Sequence, residues 1–194
     1  MIDSSRGVSK REKLVEVALR LFARYGFRAT GIDRILLESG VAKKTLYRHF
    51  RSKNDLIVAA LRRYDEQFRN DFFRSLERIS EDPTERILGI FDLATKNFSD
   101  KAFNGCLFVA AMSEHGEEDS AIRRACQEFK TALFEYVNKL TVQVGAKDPE
   151  LLARQVLLVY EGAISSAHVL KDPEAARHGK EATKVLLESA VLGD

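Results

Sequence analysis

Gly40 is the residue that most limits how this chain can fold. It stands inside TGIDRILLESGVAKKTLYRHFRSK, residues 30–53, between two short stretches with helical apolar spacing. Thr30 is expected to cap the first helix, which carries Ile32, Ile35 and Leu36 inward and ends near Ser39-Gly40. A glycine takes positive φ without steric cost, as a sharp helix-to-helix turn requires, and Val41 then seats the turn in a core. A second helix is expected from about Ala42 to Phe50. At ~100° per residue, Ala42, Leu46, His49 and Phe50 share one arc of that helix. Lys43, Lys44, Thr45, Tyr47 and Arg48 share the opposite arc. The first arc reads as a core face. The second has the chemistry for a DNA groove, because Lys and Arg reach guanine edges or phosphates, Thr a thymine methyl, and Tyr a phosphate oxygen.

Charge is distributed to match. Residues 1–55 hold 13 Lys and Arg against 6 Asp and Glu, whereas residues 56–194 hold 18 against 23. The whole chain sits at only +2, so the positive field belongs to one end and implies a polyanionic partner for that end alone.

Upstream, Ser9 and Glu12 form a capping-box pattern that opens a helix running to Tyr25 and stopping at Gly26. Leu14, Ala18, Leu21, Phe22 and Tyr25 make its inward stripe. Residues 1–8 are polar and expected to fray, with Arg6 able to touch DNA.

The residues Tyr25-Gly26-Phe27, Thr30-Gly31-Ile32, Gly40-Val41, Thr45-Leu46-Tyr47, His49-Phe50, Ser52-Lys53 and Leu56 together resemble the TetR family of bacterial transcriptional regulators. The resemblance covers residues 9–60 by motif and the rest by helical layout only. It implies an all-α fold: an N-terminal helix-turn-helix DNA-binding domain over 9–55 and a helical ligand-binding and dimerisation domain over 56–194. It also implies base contacts from Lys43, Lys44, Thr45 and Arg48, and phosphate contacts from Thr30, Tyr47, His49 and Lys53, with Gly31 and Arg34 beside them. His49 has a second reading as a packing residue, since it falls on the inward arc. Lys44 stands where many relatives have glycine, so a side-chain contact replaces close backbone approach there.

Beyond Ser52 the chain reads as six more helices. A long one to about Ile79 has Ile57, Ala60, Leu61, Tyr64, Phe68 and Phe72 inward. Asp82-Pro83 starts the next, with Ile87, Ile90, Phe91, Ala94 and Phe98 on one face. A short apolar helix from Cys106 to His115 ends at Gly116. Two long helices follow, over about 120–144 and 150–170, and the last spans about 174–192. Phe91, Phe98, Phe108, Met112, His115, Phe129 and Tyr160 are expected to face a small apolar or aromatic effector, with plain core as the alternative for each. Leu158, Glu161, Gly162, Ser165, Val185 and Ser189 are expected at a homodimer interface, a four-helix bundle shared by two chains.

Other function classes draw little support. Glu161, Ser165 and His168 share a helical face, but no further partner completes a catalytic set, so no enzyme and no cofactor is expected. Glu114, His115, Glu161 and His168 give only a weak signal for a metal site. Cys106 and Cys126 show no paired spacing, which suits a reducing cytoplasm. No run of ~18 apolar residues predicts a membrane span. A helical adaptor or architectural protein without a specific operator remains the rival, along with a TetR-like activator.

Overall fold

The computed structural model describes residues 9–115 and 120–191; the expectations for Arg6, Gly116 and Leu192 lie outside these. Among the described residues the chain forms nine helices and no strand. They are α1 (Lys10–Tyr25), α2 (Ile32–Ser39), α3 (Lys43–His49), α4 (Lys53–Ile79), α5 (Pro83–Phe98), α6 (Leu107–Glu114), α7 (Ala121–Val144), α8 (Pro149–Val169) and α9 (Ala175–Val191).

Helix boundaries follow local chemistry. Ser9 accepts from the Glu12 amide while the Glu12 carboxylate accepts from the Ser9 amide at 2.9 Å, closing the expected capping box. Gly26 ends α1 at φ 83° and Gly40 ends α2 at φ 62°, both in the left-handed half of the map that glycine alone enters cheaply. Asp82 accepts from the Thr84 amide and Pro83 opens α5, where its missing N–H costs nothing. Asp148 and Pro149 repeat the device at α8.

The chain divides into two compact units. The first comprises residues up to Gln67 together with Leu107–Cys126, and the second comprises Phe68–Cys106 with the residues from Gln127 onward. The boundary expected at residues 55 and 56 therefore falls inside α4, and α6 joins the first unit despite its distance in sequence.

In the first unit, Leu14, Ala18, Leu21 and Phe22 of α1, Phe27, Ile35, Leu46, Leu56, Ile57 and Leu61 are buried. Phe22 and Phe27 stack with ring centroids 4.9 Å apart, and Phe108 of α6 meets Tyr64 of α4 edge-on at 5.7 Å. In the second unit, Phe91 of α5 meets Tyr160 of α8 at 6.1 Å in a core that also holds Leu76, Ile87, Ile90, Val137, Leu152 and Val156. Gly179 lets α9 close on this core: a Cβ there would stand 2.7 Å from the Phe91 ring.

Candidate nucleic-acid interface

Helices α2 and α3 are joined by Gly40, Val41 and Ala42, and the two-faced character of α3 is present. Leu46 is fully buried and Phe50 is 3% exposed, so these two hold the helix down. Lys43, Lys44, Tyr47 and Arg48 are exposed, and Thr45 is half-buried beside them. Four polar or charged side chains thus leave one surface of a short helix whose other surface is anchored. Lys43 Nζ lies 3.7 Å from Asp33 of α2, an exposed pair that salt and a phosphate competitor can open. Among the other expected contacts, Gly31 is exposed and serves as the N-cap of α2.

Several expectations are corrected. Ala42 and His49 share the core arc of a helical wheel, but both are exposed. The helix is only seven residues long: Ala42 precedes it as an extended N-cap, it stops at His49, and Phe50 turns into an extended conformation that joins Leu46 in the core contact. Of the two readings of His49, packing inward is therefore lost. Thr30 does not cap α2 through its side chain, because Gly31 is the N-cap and no side-chain cap bond forms. Thr30 is fully buried, and its hydroxyl donates to the Gly26 carbonyl at 2.7 Å with the Leu21 carbonyl at 3.3 Å. Its hydroxyl is thus spent on the α1–α2 turn and is not presented to a phosphate. Tyr25, expected in the core, is 37% exposed, with the Arg34 guanidinium 3.8 Å from its ring centroid.

Lys53 is also redirected. Its ammonium donates to the Phe27 carbonyl at 2.6 Å and to that of Arg28 at 3.5 Å. Burial pushes it below the usual lysine value, and the Glu114 carboxylate offsets part of that shift. The Glu114 carboxylate in turn accepts from the amides of Phe27 at 3.0 Å and Arg28 at 2.5 Å. Nothing in the local sequence signals this contact, since Phe27 and Glu114 stand 87 positions apart. Arg11 is another residue that periodicity does not single out: its guanidinium covers the Phe50 ring at 5.4 Å.

The residues expected to face an effector are divided between the units. Phe108, Met112 and His115 belong to the first, and Phe91, Phe98, Phe129 and Tyr160 to the second. In the second unit Phe129 meets Phe68 at 5.3 Å and Phe98 meets Phe103 at 4.8 Å. The residues expected at a dimer interface share one trait: Leu158, Gly162, Ser165, Val185 and Ser189 are all exposed, and Glu161 is half-buried. Leu158 is 71% and Val185 64% exposed, a large apolar exposure on α8 and α9. Beside Leu158 an open groove of about 480 Å³ runs between α7 and α8, with Lys130 paired to Glu161 at 2.7 Å along it.

Among the described residues, no His, Cys, Asp and Glu group has the arrangement to hold a metal ion, and no helix is long and apolar enough to cross a membrane.

Comparison with known proteins gives a consistent result. The model of bacterial regulatory proteins of the tetR family matches residues 14–60. The model of the LmrA/YxaF-like transcriptional regulator C-terminal domain matches residues 83–181. The transcriptional regulator YxaF of Bacillus subtilis is 31% identical over 140 residues, covering 71% of this chain and 72% of that protein. The transcriptional repressor KstR2 of Mycobacterium tuberculosis is 34% identical over 84 residues, 43% of this chain and 41% of that protein. The crystal structure of SCO4454, a TetR-family transcriptional regulator from Streptomyces coelicolor, superposes with a TM-score of 0.85 at 26% identity. That superposition covers 93% of this chain and 95% of the other.

Proposed function

We propose that this chain, which belongs to the tetR family of bacterial regulatory proteins, represses transcription from a two-fold-symmetric DNA operator as a homodimer and is released by a small apolar or aromatic effector. DNA-binding transcription regulation, a non-enzymatic activity, is what its family membership establishes. The operator symmetry, the dimer, the effector response and a cytoplasmic setting are the proposal.

One observation carries the reading: α3 is anchored by Leu46 and Phe50 while Lys43, Lys44, Tyr47 and Arg48 are exposed on its other surface. A helix held this way can enter a major groove without deforming its own core. Lys43, Lys44, Thr45 and Arg48 are assigned to base edges. Tyr47 and His49 are assigned to phosphates, beside Gly31 and Arg34. A single seven-residue helix reads only a few base pairs. Two copies spaced by about 34–36 Å, one turn of DNA, read a palindrome, and the exposed Leu158 and Val185 supply the apolar faces that a paired body would bury.

Effector binding is assigned to the aromatic side chains Phe91, Phe98, Phe129 and Tyr160. An effector acts only through its differential affinity for the DNA-competent and DNA-incompetent states. Helices α4 and α7 each contribute residues to both compact units, so a change in one unit is covalently continuous with the other.

The test is selection of duplexes from a random-sequence pool by the purified chain. A palindromic consensus bound with steep salt dependence is expected. Recovery of unrelated sequences, with binding that follows charge alone, would leave the architectural reading in place of this one.

A further inference from the structure

The connection from Gly26 to Gly31 is too short to satisfy its own peptide groups by regular structure, so they must find partners elsewhere. Two residues supply them from opposite sides. Glu114, the last residue of α6, accepts from the Phe27 amide through Oε1 at 3.0 Å and from the Arg28 amide through Oε2 at 2.5 Å. The Arg28 Nε donates back to the Glu114 carbonyl at 3.2 Å. Lys53, the first residue of α4, donates from Nζ to the Phe27 carbonyl at 2.6 Å. One peptide stretch is therefore held by a carboxylate on its N–H side and an ammonium on its carbonyl side. Bonds with one ionised partner are about twice as strong as neutral ones.

The glycine before that stretch fits the arrangement. A Cβ on Gly26 would stand 3.1 Å from Glu114 Oε1, so the bare backbone leaves room for the carboxylate. Thr30 then ties the far end of the connection back to the Gly26 carbonyl at 2.7 Å. The first turn of α2 begins two residues later, at Ile32. A carboxylate repels DNA phosphate, so direct contact does not explain its place in a DNA-binding unit. Its contribution is geometric.

We infer that Glu114 is a positioning residue for DNA recognition: with Lys53 it fixes the α1–α2 connection, and through it the first turn of α2, without touching DNA. The inference rests on the DNA-binding function proposed above and names a residue on which its specificity depends. Sequence-specific docking needs the heads in register with base edges, whereas non-specific binding follows charge and tolerates a loosened head.

The experiment uses the full chain and two duplexes of equal length and composition, one selected from a random pool by the wild-type chain and one shuffled. Glu114→Gln keeps the shape but replaces one of two acceptors with a donor. It is expected to lose roughly tenfold affinity for the selected duplex and less than about twofold for the shuffled one. The Phe27 and Arg28 amides should lose hydrogen-exchange protection while the Leu46 amide keeps its own. Glu114→Asp, which retains both acceptors, should recover most of the ratio between the duplexes. Lys53→Met acts on the other side of the same peptide and should lower that ratio too. An unchanged ratio in both Glu114→Gln and Lys53→Met overturns the inference. So does an equal fall on both duplexes, which marks lost stability or charge alone. A wild-type chain that selects no sequence overturns the function instead, and amide exchange still reports on the clamp.

Discussion

The Arg34 guanidinium lies 3.8 Å from the Tyr25 ring centroid, and Glu38 accepts from its Nε at 3.3 Å. Glu38 also accepts from Arg20 at 2.9 Å, so one carboxylate ties the outer faces of α1 and α2 together. The coupling between Tyr25 and Arg34 is expected to be about 0.5–1 kcal/mol, the range of an exposed cation–π contact. Chemical denaturation of Tyr25→Ala, Arg34→Ala and the double variant checks it, since a stacked pair gives a non-additive cycle.

Thr30 tests whether a buried residue of the head acts on stability alone. Thr30→Val removes the hydroxyl that donates to the Gly26 carbonyl and leaves the shape. The loss should be about 1 kcal/mol by denaturant titration, with the salt slope of DNA binding unchanged.

On α3, base and phosphate contacts should separate. Lys43→Ala or Arg48→Ala is expected to change preference at one base position by about 1–3 kcal/mol. Tyr47→Phe should weaken all sequences alike. Binding profiles on a set of single-substitution duplexes decide, and equal weakening by Lys43→Ala at every site would remove it from the base-contact set.

Leu158→Glu combined with Val185→Glu places charge on the two exposed apolar positions of α8 and α9. Light scattering should show a dimer for the wild type and a monomer for the double variant. DNA affinity should fall with it, because each half-site then binds alone.

The pH response of α1 has a definite sign. The Ser9 hydroxyl and backbone hydrogen bonds hold the Glu12 carboxyl below its usual value. The capping contribution is therefore complete above the ordinary carboxylate pKa and is lost as pH falls through the lowered value. Glu12→Gln should be less stable than wild type near neutrality, and the difference should shrink in acid, as measured by thermal melting across that range.

Much of this architecture is written locally. Ser9 with Glu12, Gly26, Gly40 and Asp82-Pro83 each fix a helix end by backbone chemistry that needs no distant partner, and the structure places ends at all of them. The split surface of α3 was legible for the same reason, since Leu46 and Arg48 differ in periodic position. His49 and Ala42 were not: Ala42 is the extended N-cap ahead of the helix and His49 is its last residue, so a wheel drawn from 42 to 50 misplaces both ends. Lys53 and Thr30 carry polar groups that look outward in sequence, yet their partners are carbonyls of the α1–α2 connection. Glu114 was illegible for a stronger reason: its partners are 86 and 87 positions away, and no periodicity spans that gap.

The discontinuity of the first unit bears on how such regulators can be recombined. A head cut out as residues 9–55 would leave behind α6 and the start of α7, and with them the acceptor for the Phe27 and Arg28 amides. Grafting the N-terminal helices of this chain onto a foreign body would thus transfer the reading surface but not the brace that sets it. A chimera that exchanges DNA specificity while keeping its affinity should carry Leu107–Cys126 along with the head, as one inherited part in two pieces.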